Sequence, residues 1–204
     1  MTATNVTRQP DITRGRILEA AFWEFYRNGF QGGSLSRIVE AAGVTKGALF
    51  HHFAGKQALG YAVVDEVIGP LLLERWLDPV ESAADPVGAM QTAFRTWTRT
   101  DVESGALELG CPLNNLTQEM SPLDEGFRER TGGLYDRWRM SYSAALVRGM
   151  EGGAVRPDAV PDSAAALIVA AQMGVWGTGK ASRDADLMLA AGEAVCDYLE
   201  RLRP

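Results

Sequence analysis

The sequence is poor in the residues that build most catalytic and metal centres. It holds two histidines and two cysteines in 204 residues. His51 and His52 are adjacent, so on a helix they point about 100° apart. A zinc site needs three or four converging ligands, and no third is near them in sequence. No metal is therefore expected. Cys111 and Cys196 stand far apart and form no metal-type pair. Such sparse cysteine fits a reduced, cytoplasmic setting. There is no G-x-S-x-G and no phosphate loop, so neither an enzyme nor a cofactor is expected. No run of about 18 apolar residues is present, which excludes a membrane-spanning helix by composition. Met1–Pro10 is polar and lacks a signal-peptide core, so it reads as a short flexible arm. Sustained alternation of β-branched residues is missing too, and with it any strand signal. Internal repeats and low-complexity tracts are also lacking.

What remains is helical periodicity, in a chain with 46% apolar residues and a net charge of −6. The fold class read from it is all-α, in one or two compact domains. Charge is unevenly placed. Through Lys56 there are seven basic and four acidic residues, whereas the rest carries 13 basic and 22 acidic. A basic head on an acidic body fits contact with a polyanion through the head alone.

The first helix is expected over about Thr13–Asn28. Ile17, Leu18, Ala21, Phe22, Phe25 and Tyr26 recur at three- and four-residue steps and give it one buried stripe. Gly29 ends it. After Gly32-Gly33, Ser34 reads as an N-cap for a short helix, Leu35–Ala42, which buries Leu35, Ile38, Val39 and Ala42. Gly43 breaks that helix in a left-handed turn. Val44 is a lone apolar anchor in the turn. Thr45 then caps a second short helix through about His51, with Leu49 and Phe53 inward. A long helix begins near Lys56, runs to Leu73 or beyond, and links head to body. Further helices are expected at about Pro86–Glu103, Pro112–Met120, Leu123–Glu151, Asp162–Trp176 and Asp184–Arg203, mostly started by proline.

Two helices of about two turns joined by a glycine turn outline a helix-turn-helix. A generic αα-hairpin shares that outline. Ser34–Leu59 reads S-L-S-R-I-V-E-A-A-G-V-T-K-G-A-L-F-H-H-F-A-G-K-Q-A-L. This stretch, within residues 13–60, resembles the TetR family of bacterial transcriptional regulators. The shared pattern is A-G-V followed by Ser/Thr-x-G-x-L-Tyr-x-H-F-x-x-K-x-x-L. The sequence departs from it at Phe50, where a tyrosine is usual, and so loses a hydroxyl that can bond a phosphate.

The resemblance implies a TetR-type head over residues 11–56, with the helix-turn-helix at 34–53. Residues 57–204 become a helical domain for ligand binding and dimerisation. Thr45, Lys46, Gly47, Ala48, Phe50 and His51 are then the recognition helix in the major groove. His52 and Lys56 follow it as phosphate or supporting contacts. Ser34, Ser36 and Arg37 open the preceding helix as phosphate contacts, and Arg14 and the arm are further candidates. Ser34 is also a plain cap, and Lys56 also reads as a solvated charge.

The expected partners are a double-stranded, palindromic DNA operator, a second copy of the chain, and a small-molecule effector that releases a repressor. Activation and a helical adaptor are the alternatives. The dimer surface implied is the last two helices, through Ala164, Ala165, Ala166, Ala170, Ala171 and Gly174 with Leu167, Ile168, Met173, Leu187, Leu189, Val195 and Leu199. An internal core is the other use of those residues. The candidate effector pocket is Trp97, Cys111, Asn114, Tyr135, Trp138, Met173 and Trp176, aromatic and apolar with few polar anchors. Gly110–Leu116 resembles a branch of the family in which some members sense electrophiles through a cysteine. Cys111 at a helix start would have a lowered pKa, or it simply packs the helix start.

Overall fold

A computed structural model describes residues 8–204, with side chains from Ile12 onward. Met1–Thr7 of the expected arm lie outside the described residues, and Arg8–Pro10 are helical. No strand occurs among the described residues. The protein is all-α.

The head is three helices. α1 (Arg8–Gly32) carries a break at Gly29, where φ is 72° and ψ 166°. α2 (Leu35–Ala42) starts at Ser34, whose hydroxyl accepts from the Arg37 N–H at 3.4 Å. Gly43 closes it in the left-handed conformation, φ 60° and ψ 41°. α3 (Lys46–His52) starts at Thr45, whose hydroxyl accepts from the Ala48 N–H at 3.1 Å. Ile17, Ala21, Ile38, Leu49, Phe53 and Leu59 are buried at its centre. The single stripe expected on α1 is in fact divided. Ile17, Leu18, Ala21 and Phe25 are buried in the head, whereas Phe22 and Tyr26 are partly exposed. Tyr26 turns to the body, where its hydroxyl donates to the Gly110 carbonyl. Leu35 and Val39 are likewise only partly buried.

α4 spans residues 56–81 as five helical segments in unbroken succession, Lys56–Val63, Val64–Ile68, Gly69–Leu72, Leu73–Leu77 and Asp78–Glu81. The second and fourth are π-helical. The linking helix therefore runs beyond Leu73, to Glu81, and has two wide turns, features often found at functional sites.

The body adds α5 (Pro86–Glu103), α6 (Pro112–Met120), α7 (Glu125–Glu151), α8 (Pro161–Ser182) and α9 (Ala185–Glu200). α5 packs on α9, and α8 packs on both α7 and α9. α8 passes the expected end at Trp176 by a turn and a half, to Ser182. The small and apolar residues of the last two helices divide in the same way as those of α1. Ala164, Ala165, Ile168, Val195 and Leu199 are buried in the protomer's own core. Ala166, Leu167, Ala170, Gly174 and Leu187 are exposed.

Candidate nucleic-acid interface and body cavity

The expected recognition residues lie at or near the protein surface. Thr45, Lys46, Gly47, Phe50 and His51 are exposed, and Ala48 and His52 are half-buried. Phe50 keeps 46% of its surface exposed, an apolar ring displayed beside Lys46 and His51. Ser36 and Arg37 are exposed at the start of α2, with Ser34 half-buried.

Three of the expected phosphate-binding cations are engaged within the protein. The Arg37 Nε donates to Glu24 at 2.8 Å and its Nη2 to the Gly32 carbonyl at 2.9 Å. Burial pushes the Glu24 carboxyl up. Bonds from Arg37, the Ser34 N–H and Asn28 outweigh that and hold it below the usual range. Lys56 donates to the Gln31 carbonyl at 3.0 Å and lies over the Phe30 ring. Arg14 makes a two-pronged ion pair with Glu66 of α4 and sits over Phe53. These side chains hold the head together, a role that spacing alone does not reveal.

Head and body meet along α6. The Glu119 carboxylate accepts from the Phe30 and Gln31 N–H groups, both at 2.7 Å. Those donors follow the break at Gly29, where the helix no longer supplies carbonyls to them. Gly29 also leaves room, since a Cβ there would lie 3.0 Å from Glu119 Oε2. A second junction joins α4 to the start of α7. Tyr61 donates to Asp124 at 2.6 Å, and Gln57 donates to the same carboxylate. The Tyr61 bond, with the Phe127 N–H behind it, holds the Asp124 pKa below its ordinary value.

Cys111, Trp138 and Trp176 line a single narrow cavity, together with Arg75, Trp76, Asp101 and Gln172. Asn114, Tyr135 and Met173 form a separate cluster. The Tyr135 hydroxyl is 3.4 Å from Asn114 Oδ1 and 3.3 Å from Met173 Sδ. Trp97 lies outside the cavity, with its indole donating to the Arg75 carbonyl at 3.0 Å and its ring under the Arg75 guanidinium. Sequence reasoning missed Arg75, Asp101 and Gln172. Their only signal is polarity amid apolar helices. Burial pushes the Cys111 thiol pKa up, against the pull of the Asn114 and Leu113 N–H groups. Burial outweighs the lowering expected from the helix start, and Cys111 is half-buried in the cavity wall. No group of three or more His, Cys, Asp or Glu suited to a metal occurs among the described residues. No helix among them is long and apolar enough to cross a membrane.

Residues 17–63 match the sequence model of “Bacterial regulatory proteins, tetR family”. Residues 83–195 match that of “Tetracyclin repressor-like, C-terminal domain”. The chain belongs to the TetR family. It is a DNA-binding transcriptional regulator. Among curated relatives, the HTH-type transcriptional repressor DhaR of Mycobacterium sp. (strain GP1) is 27% identical over 79% of this chain and 79% of its own. A TetR transcriptional regulator from Chloroflexus aurantiacus superposes with a TM-score of 0.82 at 25% identity, over 95% of this chain and 97% of the other. A cysteine mutant of the TetR family regulator CifR, crystallised with 26-base-pair operator DNA, gives 0.78 at 17% identity over 96% and 98%. At that identity the last likeness concerns the fold alone.

Proposed function

We propose that this TetR-family regulator is a homodimeric repressor that leaves a palindromic operator when a small molecule enters its body. The observation that carries this reading is the placement of α6. Its first turn borders the body cavity, and Glu119 near its other end holds the head. A ligand shifts such an equilibrium only through unequal affinity for its two states. α6 and the π-turns of α4 are the elements in which those states would differ.

In this reading Thr45, Lys46, Gly47, Ala48, Phe50 and His51 enter the major groove. The flanking Ser34, Ser36, His52 and the helix ends meet phosphates. Phe50 supplies apolar contact to sugar or a thymine methyl where a tyrosine would add a hydrogen bond. Arg37 and Lys56 act mainly by fixing α1 to α2 and to α4. A gel shift on the protein's own upstream region across a salt series tests the head. Lys46→Ala, with the fold intact by circular dichroism, is expected to bind weakly and to flatten the log–log salt dependence by about 0.9 for each phosphate that Lys46 neutralises at the groove edge, one in each half-site. An unchanged slope and affinity would remove Lys46 from the interface.

The exposed Ala166, Leu167, Ala170 and Gly174 of α8 and Leu187 of α9 form the dimer face in this proposal. Small residues let helices of two copies approach closely, and a two-fold axis repeats the face on both. Leu167→Asp places two carboxylates near that axis. Light scattering is expected to show the mass fall from a dimer to one chain of 22.1 kDa. A variant that stays dimeric would move the interface elsewhere.

A further inference from the structure

The cavity between α4, α5, α6 and α8 holds buried polar atoms that the protein leaves unused. Gln172 is 2% exposed, and its Oε1 has no hydrogen-bond partner. Arg75 Nε is buried and equally without a partner. Both residues line the cavity. Groups left unpaired in this way cost stability, so they call for a ligand or water.

The charges beside them set the ligand's character. Asp101 is 3% exposed and is already paired. It accepts from the Trp176 indole at 2.7 Å and faces Arg75 Nη1 at 3.5 Å. The pair is neutral overall, and Asp101 repels a second anion. Arg75 Nε can only donate, while the Gln172 amide accepts, or donates if its ends are exchanged. A hydroxyl or a primary amide satisfies both partners whichever way the Gln172 amide is turned. The Trp138 indole N–H is a third buried donor on the lining without a partner, and apart from it and the Cys111 thiol the rest of the wall is aromatic and aliphatic. Trp76 lies 5.6 Å from Trp138 and 5.3 Å from Trp176, ring centre to ring centre.

The void is about 30 Å³, room for roughly one or two waters. An aromatic ring needs it to widen. The lining residues Ile68, Arg75 and Trp76 all lie in the two π-turns of α4. A π-turn carries one residue more than an α-turn, and a shift of register there moves the wall without breaking the helix.

We propose that this cavity binds a small, neutral, apolar molecule with a hydroxyl or amide head, held by Arg75 Nε and Gln172. The proposal rests on the effector reading above and specifies the chemistry of that site. The test uses three probes on the full-length protein, phenol, toluene and benzoate, by calorimetric titration. Phenol is expected to bind at least tenfold more tightly than toluene, and benzoate more weakly than phenol. Gln172→Met and Arg75→Gln are each expected to bring phenol and toluene close to parity. Equal binding of phenol and toluene by the wild type, strongest binding of benzoate, or binding of none of the three would overturn the proposal. The wild-type comparison decides even if a variant does not fold. Phenol binding without release of operator DNA supports this site and counts against its coupling to the head. Intact DNA binding with no phenol binding refutes the site alone.

Discussion

Glu119→Ala is expected to lower the stability of the whole protein by about 2–3 kcal/mol. The carboxylate accepts from two adjacent backbone donors, Phe30 and Gln31, at 2.7 Å each. Ionised acceptors make the stronger class of hydrogen bond. The bond from the Phe30 N–H is part-buried, so water replaces it only in part, whereas the exposed Gln31 N–H rehydrates. For a chain of this size the midpoint of thermal unfolding should fall by roughly 5–10 °C. Glu119→Gln is expected to fall between, because its amide oxygen serves one donor while its NH₂ opposes the other. Function separates this loss from simple weakening. The recognition surface on α3 does not touch Glu119, so operator binding below the lowered midpoint should survive. On the effector reading proposed above, release should fail, since the Glu119 bonds between α6 and the head are gone. Thermal unfolding with gel shifts checks both. A Glu119→Ala protein that melts like the wild type and still responds would show the contact to be incidental.

The parts of the fold legible in the sequence are those written in local chemistry. Ser34 and Thr45 cap the helices they were expected to cap, Gly43 takes the left-handed turn, and Pro86 and Pro112 open helices that end where periodicity ends them. Those signals act within four residues. α8 shows the limit. Gly177 and Gly179 look like a helix end, yet the helix continues, because Gly179 is pressed against Leu107 and Met188, where a Cβ would lie 2.8 Å from Leu107 Cδ1. Packing there outweighs glycine's poor helix propensity. The exposure of most of the motif was legible, because Thr45, Lys46, Gly47, Phe50 and His51 lie outside the apolar positions Leu49 and Phe53 that the motif buries. The intramolecular partners of the cations were not. Arg37 and Lys56 find partners within the head, and Arg14 finds one on α4, through contacts that no periodicity encodes. The cavity was legible in part. Its aromatic walls stand out by composition, but Arg75, Asp101 and Gln172 come together from three helices far apart in sequence.

The second large effect is expected at Gly60, where the head, the linking helix and the body converge. Gly60 is buried, and a Cβ there would lie 2.6 Å from Phe30 Cε2 and 2.7 Å from Phe127 Cζ. Those rings meet edge to face at 4.7 Å, and Tyr61 meets Phe127 edge to face as well, at 4.8 Å. Phe127 is fully buried, so neither ring can swing aside without displacing α1 or α7. Replacing glycine within a helix normally stabilises it by up to about 1 kcal/mol. Here that gain is smaller than the cost of overpacking, about 1–3 kcal/mol and more for a branched side chain. Gly60→Ala should therefore lose a little stability and Gly60→Val about 3 kcal/mol, an order set by bulk rather than by propensity. The head must tilt to admit valine, and in a dimer a tilt at each head alters the spacing of the two recognition helices. Operator affinity should then fall while the isolated fold of the head persists. Shrinking the opposing ring tests the cause. Phe30→Leu combined with Gly60→Ala should recover part of the loss, a coupling visible as non-additivity in a double-mutant cycle. Strictly additive losses would mean that Gly60 matters for the helix itself, and that the Phe30–Phe127 contact does not set the angle between head and body.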